Sequence, residues 1–152
     1  MTRSLWLLAA VTWGACAGGN SRGDRLMNDL RAFHEGIRWR RYDQAADFVP
    51  LPARDRFMAG REALDDDLRV ADYEIERVKW RGDRDVTVQV RYTWHLDSRG
   101  VVHETVVEES WFKAGKGWIL QGEERKRGEP MPAPPDDAGP DDEPAAASRA
   151  PG

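Results

Sequence analysis

The chain has 152 residues and a formal net charge of −4, and 33% of its residues are charged. This length suits one domain, and the balance of charge excludes a chain-wide basic field of the kind that nucleic acids attract. The single cysteine excludes an internal disulfide. Residues 129–152 hold six acidic side chains and one basic, whereas residues 16–128 hold 21 of each. The acidity therefore lies in a C-terminal tail.

The first 15 residues have the features of an export signal. Arg3 supplies a positive start, and residues 5–11 form an apolar run. This run is much shorter than the roughly 20 residues that a membrane-spanning helix needs. Small residues follow it and lead to the cysteine at position 16. The sequence therefore predicts an exported protein.

The end of this signal resembles that of bacterial lipoproteins, in which small residues lead to a cysteine that is acylated and becomes the mature N-terminus. Gly14 and Ala15 are the small residues and Cys16 is the acceptor, whereas Trp13 stands where such signals usually have an aliphatic residue. The resemblance implies a membrane anchor at Cys16. Because Ala17 and not Asp follows, it also implies an outer-membrane lipoprotein facing the periplasm or the cell surface. Cleavage at an Ala-x-Ala site, giving a secreted soluble protein, is the alternative.

A long helix is predicted over residues 23–40. Ser21 and Asp24 have the spacing of a capping box. An apolar stripe at helical spacing defines a buried face, and His34 flanks it; the stripe consists of Leu26, Leu30, Phe33 and Ile37. Two shorter helical pieces are predicted over residues 44–49 and 53–58, the second resuming over 61–68.

Four antiparallel strands are predicted after the helices. Residues 70–80 form the first, and a change in the parity of their apolar positions indicates a β-bulge. Residues 86–96 form the second, with an apolar side chain at every second position. A turn at residues 97–100 leads to the third strand. A fourth begins near Trp118 and frays over residues 123–127.

The apolar pattern also predicts the register between the second and third strands. If Leu96 faces Val101, then Trp94 faces His103, whereas a shift of one residue would set Trp94 against Glu104. The favoured register gives the sheet an inner face that would line a pocket, and the pocket-lining candidates are Tyr92, Trp94, His103, Thr105, Glu109 and Trp111.

This inner face is the place where the sequence offers chemistry. His103 and Glu109 share one face of one strand, but they are six residues apart. That separation is about 20 Å at about 3.3 Å per residue, which is too far for an acid–base pair in hydrogen-bond contact. No nucleophile–base set and no metal-ligand spacing accompanies them. The sequence therefore predicts no catalytic residue, no metal and no cofactor.

The domain organisation follows from these segments. Residues 1–15 are the signal, residues 16–22 a flexible tether, and residues 23–128 an α+β domain. Residues 129–152 are rich in proline, alanine and acidic residues and have no apolar periodicity. This composition predicts a disordered tail.

The predicted elements amount to N-terminal helices packed on a curved antiparallel four-stranded sheet. They resemble the nuclear transport factor 2-like superfamily in the helical pattern of residues 30–48, in Tyr73 to Ile75, in the alternation over 86–96, and in Trp111 with residues 117–120. The resemblance implies a cone-shaped fold with a pocket between sheet and helices. It carries over no catalytic residue, because no motif of the superfamily's enzymes maps onto this chain.

Three functions stay open at this point. The first is a cell-envelope lipoprotein whose non-catalytic domain binds a small apolar ligand or an envelope protein. The second is a small lyase or isomerase that uses His103, Glu109 or Tyr92 in the pocket. The third is a structural envelope subunit that forms a homodimer through the outer face of the sheet.

Overall fold

The computed structural model describes residues 21–132 of the chain. In chain order the elements are α1 (Arg22–Arg38), α2 (Tyr42–Ala46), a short 3-10 helix (Leu51–Ala53), α3 (Arg54–Glu62), β1 (Leu68–Trp80), β2 (Asp85–Leu96), β3 (Val102–Ala114) and β4 (Gly117–Gly128). The strands are antiparallel and hydrogen-bonded in the order β1-β2-β3-β4, so the sheet is an open meander. The predicted α+β class is confirmed, whereas the cone shape stays a prediction.

The predictions for both ends of the chain fall largely outside this range. The export signal, Cys16 and residues 133–152 of the tail are not among the described residues. Between residues 21 and 132, no helix is long and apolar enough to cross a membrane.

Helix α1 begins at the predicted capping box. The Ser21 hydroxyl accepts a hydrogen bond from the Asp24 N–H at 3.1 Å, and the Asp24 carboxylate accepts one from the Ser21 N–H at 3.0 Å. The predicted apolar stripe is confirmed as buried, since each of its four side chains is 3% exposed or less. His34 is also buried on this face, which packs on the inner face of the sheet.

The short helices differ from their predicted bounds. Helix α2 begins at Tyr42 and ends at Ala46, and no side chain caps it. Helix α3 runs through Gly60 without the predicted interruption. The end of α1 approaches α2 closely at Gly36, where a Cβ would lie 3.0 Å from the Cβ of Ala45. A larger residue at position 36 would therefore push the two helices apart.

The predicted register between β2 and β3 is confirmed. Trp94 pairs with His103, Tyr92 with Thr105 and Val88 with Glu109. The predicted bulge in β1 is also confirmed, and β1 contains two irregularities, one between Val70 and Asp72 and one between Ile75 and Arg77.

The predicted fraying of the last strand is wrong. Strand β4 stays paired with β3 as far as Gly128. The charges at positions 123–127 suggested a strand end because charged residues favour solvent. Backbone hydrogen bonds do not depend on those side chains, however, and an edge strand can present charges while its ladder continues.

The chain still contacts the domain beyond the predicted boundary at residue 128. Gly128 has a φ of 88°, and the Glu129 N–H then donates to the Glu104 carbonyl oxygen at 3.2 Å. The Thr105 hydroxyl donates to the carbonyl oxygen of Glu129. Met131 packs against the core. The first residues of the predicted tail therefore belong to the packed domain.

Candidate functional site

Five of the six predicted pocket residues are buried on the inner face of the sheet. Tyr92, Trp94, Thr105, Glu109 and Trp111 are each 3% exposed or less. His103 is partly buried. The sixth therefore differs from the others in its access to solvent, although the register places it on the same face. Cys16, the predicted lipid-attachment residue, lies outside the described residues.

The centre of the inner face holds a polar cluster that we call the His34 cluster, formed by His34, Tyr92, Glu109 and Trp111. The Tyr92 hydroxyl lies 2.7 Å from Nδ1 of His34 and donates to Oε1 of Glu109 at 3.2 Å. Nε1 of Trp111 donates to the other carboxylate oxygen of Glu109 at 2.8 Å. Helix α1 thus supplies the imidazole, and strands β2 and β3 supply its polar partners.

The hydrogen bonds of Tyr92 determine which ring nitrogen of His34 carries a proton. The phenol has one hydrogen, and if it goes to Glu109, then Nδ1 of His34 must donate to the phenol oxygen. Nε2 of His34 lies 3.5 Å from Oε2 of Glu109 and makes no hydrogen bond among the described residues. A second ring proton would give a buried ion pair with Glu109. Without it, a nitrogen lone pair faces a carboxylate oxygen.

Burial in the cluster shifts the ionisation of Tyr92. Desolvation raises the pKa of the Tyr92 phenol well above its ordinary value, and the charge of Glu109 adds to this shift. The phenol is therefore a hydrogen-bond donor throughout the physiological range.

A second carboxyl group, that of Glu123, stands beside Glu109. The two residues pair across β3 and β4, so their side chains share a face. Desolvation by the surrounding protein atoms raises the pKa of Glu123, and the negative charge of Glu109 raises it further. Because Glu123 is also exposed to solvent, solvent screening limits this shift compared with that of an enclosed carboxyl. Glu123 is the part of this polar region that solvent reaches.

The remaining predicted residues form a separate contact. Nε1 of Trp94 donates to the Thr105 hydroxyl at 2.8 Å. The His103 ring stacks on Trp94 with centroids 4.7 Å apart. The structure does not bring His103 and Glu109 together. This agrees with the separation predicted from their spacing along the strand.

Sequence reasoning misses two members of this polar region. The apolar stripe places His34 only at its flank, although His34 lies four residues after Leu30 and three before Ile37, which is a signal for the buried face. Glu123 falls in the segment predicted to fray. Its position opposite Glu109 depends on the continuation of β4, which its charged sequence does not indicate.

The surface next to α1 offers a second type of site. A cleft of about 380 Å³ lies between α1 and β1, and its lining combines charged side chains of both signs with the apolar side chains of Met27 and Ile75. Its lining residues are Met27, Arg31, Glu35, Arg38, Asp72, Tyr73, Glu74 and Ile75. Arg38 pairs with Asp72 at 3.2 Å, and the Tyr73 hydroxyl donates to Glu35 at 3.2 Å. In residues 21–132, no three histidine, cysteine, aspartate or glutamate side chains are placed to hold a metal.

No protein-family model matches the chain, and a comparison with curated proteins gives no match. Among solved structures, the fold is similar to the solution structure of a SEC-C motif containing protein from Rhodopseudomonas palustris, with a TM-score of 0.55. The two sequences are 13% identical, and the match covers 65% of this chain and 77% of the other. At this identity the likeness shows a shared fold and carries no function.

This comparison overturns the predicted resemblance to the nuclear transport factor 2-like superfamily. The solved structure reported above, which shares the fold, is that of a SEC-C motif containing protein. The residues that suggested the superfamily were a helical stripe and an alternating strand. Both patterns arise wherever helices cover one face of an antiparallel sheet, so they indicate the layer arrangement and not a particular superfamily.

Proposed function

We propose that this chain is a cell-envelope lipoprotein, anchored through acylated Cys16, whose domain binds a protein partner and is not catalytic. One observation carries the non-catalytic part: the ionisable groups at the centre of the inner face are enclosed and bonded to one another. His34 and Glu109 are each 0% exposed, and Tyr92 is 2% exposed. A substrate would have to separate α1 from the sheet to reach them.

The filling of the inner face favours a protein partner over a small apolar ligand. The centre of the Trp111 ring lies 5.3 Å from the centre of the Phe33 ring and 6.4 Å from that of the Phe48 ring, and both contacts are edge-to-face. Trp94 is also buried, at 3% exposed. An apolar ligand would have to displace these side chains, whose burial contributes several kcal/mol of stability. The apolar space is therefore occupied by the protein itself.

The cleft between α1 and β1 is the surface that we propose for the partner. Its lining combines two arginines and three acidic residues with Met27, Tyr73 and Ile75. A polypeptide segment with charges of both signs and apolar side chains would complement such a lining. Charges at the rim of an interface set the orientation and rate of binding, and apolar contacts at its centre supply affinity.

The sheet itself is poorly suited to the dimeric alternative. On its outer face, Glu76 pairs with both Arg91 and Arg127, and Lys126 pairs with Glu108 at 3.4 Å. The two edge strands, β1 and β4, each contain register irregularities where they pair with their neighbours. A dimer through the outer face would have to remove these charges from solvent, which is costly, and charges and bulges at the sheet edges also oppose edge-to-edge pairing with another chain.

A second function, that of a small lyase or isomerase, is favoured by Nε2 of His34, which makes no hydrogen bond within residues 21–132. Two ionisable groups within 4 Å of each other in a buried site are typical of acid–base catalysts, and His34 and Glu109 are 3.5 Å apart. Glu123, which is exposed to solvent, lies beside this pair. Such an enzyme would need the site to open so that His34 becomes accessible.

Chemical modification of histidine distinguishes the two functions. The chain has three histidines, and His95 and His103 are partly exposed whereas His34 is 0% exposed. We expect diethyl pyrocarbonate to modify His95 and His103 in the folded protein and to leave His34 intact, as read by peptide mass spectrometry. Modification of His34 at the rate of His95 would favour the enzyme and contradict the enclosed cluster.

Metabolic labelling with a fatty acid tests the anchor. We expect the wild-type chain to carry the label and the Cys16→Ser variant to lose it. A label that persists in the variant would end the lipoprotein assignment, and a wild-type protein without label would support secretion in soluble form.

Site-specific photocrosslinking tests the partner surface. A photoreactive residue at Arg31 lies in the cleft, and one at Arg77 lies on β1 outside the cleft lining. We expect a defined adduct with an envelope protein from position 31 and none from position 77. Equal adducts from both positions, or none from either, would contradict the cleft as the binding surface.

A further inference from the structure

The end of the domain that carries residue 21 brings three chain segments together. Nη1 of Arg22, at the start of α1, donates to the Asp83 carboxylate in the β1–β2 turn at 2.9 Å. Nη2 of Arg84 in the same turn donates to the Lys113 carbonyl oxygen at the end of β3, 3.2 Å away. The start of α1, the β1–β2 turn (residues 81–84) and the β3–β4 turn (residues 115–116) therefore form one surface.

This surface, which we call the basic end, has an excess of positive charge. Its cations are Arg22, Arg81, Arg84, Lys113 and Lys116. Its acids are fewer by one: Asp83 in the β1–β2 turn, Asp85 at the start of β2, Asp24 in the first turn of α1, and Asp29, which accepts a hydrogen bond from the Trp118 N–H beside the β3–β4 turn. A shallow cleft of about 370 Å³ opens between the segments, and three of these cations line it together with Asp83 and Gly115. The domain as a whole is close to neutral, so the excess is local.

Aromatic rings accompany two of these cations. The Arg22 guanidinium lies 4.3 Å from the centre of the Trp80 ring, and the Arg84 guanidinium lies 4.6 Å from that of Phe112. Trp80 is 38% exposed. Cations beside partly exposed aromatic rings fit the head-group region of a bilayer, where phosphates meet the edge of the apolar layer.

The tether places this end close to the predicted anchor. Five peptide units separate Cys16 from Ser21, and a fully extended chain of that length spans at most about 18 Å. Acylated Cys16 would therefore hold the basic end within that distance of the membrane. An anionic surface attracts cations over a Debye length of about 8 Å, which lies within the reach of the tether.

We propose that the basic end is a membrane-facing surface that binds the anionic head groups of the bilayer in which Cys16 is anchored. This inference rests on the lipid anchor in the proposed function, because the anchor is what brings a bilayer to this end. It adds an orientation: the basic end faces the membrane, and the β2–β3 turn at the other end of the strands faces away.

Vesicle binding without the acyl chain tests this surface separately from the anchor. The full chain with Cys16→Ser is sedimented with vesicles of phosphatidylglycerol or of phosphatidylcholine, at low salt and at about 0.5 M NaCl, where charges are strongly screened. We expect salt-sensitive binding to the anionic vesicles alone. Comparing low and high salt removes the apolar contribution of the leader, and the charge of Arg3 in that leader is the same in every variant.

Two matched double variants locate the effect. Lys113→Gln with Lys116→Gln should weaken the salt-sensitive binding about thirtyfold, because each cation at an anionic surface contributes about 1 kcal/mol. Arg41→Gln with Arg99→Gln removes the same charge from exposed positions outside the basic end and should change it little. Circular dichroism confirms that both variants are folded.

The other outcomes overturn the proposal. Equal weakening in both double variants would show a response to net charge alone. Absence of salt-sensitive binding to phosphatidylglycerol would exclude a lipid surface, and release from the vesicles by millimolar inorganic phosphate would identify a small phosphate site instead. Acyl labelling at Cys16 is scored independently, so failure of the surface and failure of the anchor are distinguishable.

Discussion

Removing the hydroxyl group of Tyr92 is the sharpest test of the His34 cluster. The substitution Tyr92→Phe keeps the ring, which is 2% exposed, and deletes the oxygen that joins α1 to the sheet. That oxygen lies 2.7 Å from Nδ1 of His34 and 3.2 Å from Oε1 of Glu109. The variant therefore leaves two buried polar atoms without their partner and creates almost no cavity.

The expected loss of stability follows from these two contacts. A hydrogen bond to a charged group contributes about 1.5–3 kcal/mol, and a bond between neutral groups about 1 kcal/mol. The deleted oxygen no longer has to be desolvated, which offsets part of the loss. We expect the free energy of unfolding to fall by about 3 kcal/mol, a large fraction of the about 5–15 kcal/mol of a typical domain. The midpoint of thermal unfolding should fall by at least about 10 °C.

The other two tyrosines supply matched controls. Tyr42 and Tyr73 each donate one hydrogen bond to a partly exposed carboxylate, Asp65 at 3.0 Å and Glu35 at 3.2 Å. Their Phe variants should lose at most about 1 kcal/mol, since solvent can replace the lost partner. Guanidinium unfolding followed by tryptophan fluorescence gives all three values, with the denaturant slope unchanged. A Tyr92→Phe loss within about 0.5 kcal/mol of the Tyr73→Phe loss would refute the reasoning.

Two further predictions concern ionisation and backbone geometry. Burial raises the pKa of Tyr42 and of Tyr73 to about 12 and that of Tyr92 well above its ordinary value. This contribution to stability is complete below the unfolded pKa of about 10 and is lost as the pH rises through the folded values, so tyrosinate absorbance at 295 nm should appear only well above pH 10 in the folded protein. A tyrosine that titrates near pH 10 before unfolding would contradict this. Gly128→Ala should destabilise by more than about 2 kcal/mol, because its Cβ would collide with the Glu104 carbonyl oxygen at a φ of 88°. Gly115→Ala has a positive φ but open space and should cost only about 1 kcal/mol; equal losses in thermal unfolding would show that the collision relaxes freely.

Much of the sheet could be predicted because its information is local. The alternation in β2 determines which side chains face inward, and the same pattern in β3 then allows one register, since a shift by one residue exchanges the two faces. The sequence alone accordingly places Tyr92, Glu109 and Trp111 on the inner face. The capping box of α1 could be predicted for the same reason, because Ser21 and Asp24 are three residues apart.

The contacts of the candidate site could not be predicted in this way. His34 meets Tyr92 across 58 positions of sequence, and the helical period shows only that His34 is close to the buried face. Its partners depend on where α1 crosses the sheet and how the helix is rotated about its own axis. The predicted superfamily failed for a related reason, because local periods report the layers of a fold and not the family that uses them.

The sequence by itself therefore determined the α+β class, the buried stripe of α1, and the faces and register of β2 and β3. The tertiary structure decided that His34 completes the cluster, that Glu123 stands beside Glu109, and that the chain packs as far as Met131. The physical reason is that burial patterns repeat along each element, whereas hydrogen bonds between elements are set by how those elements pack. Only the packed chain places an imidazole from α1 over a phenol from β2 and a carboxylate from β3.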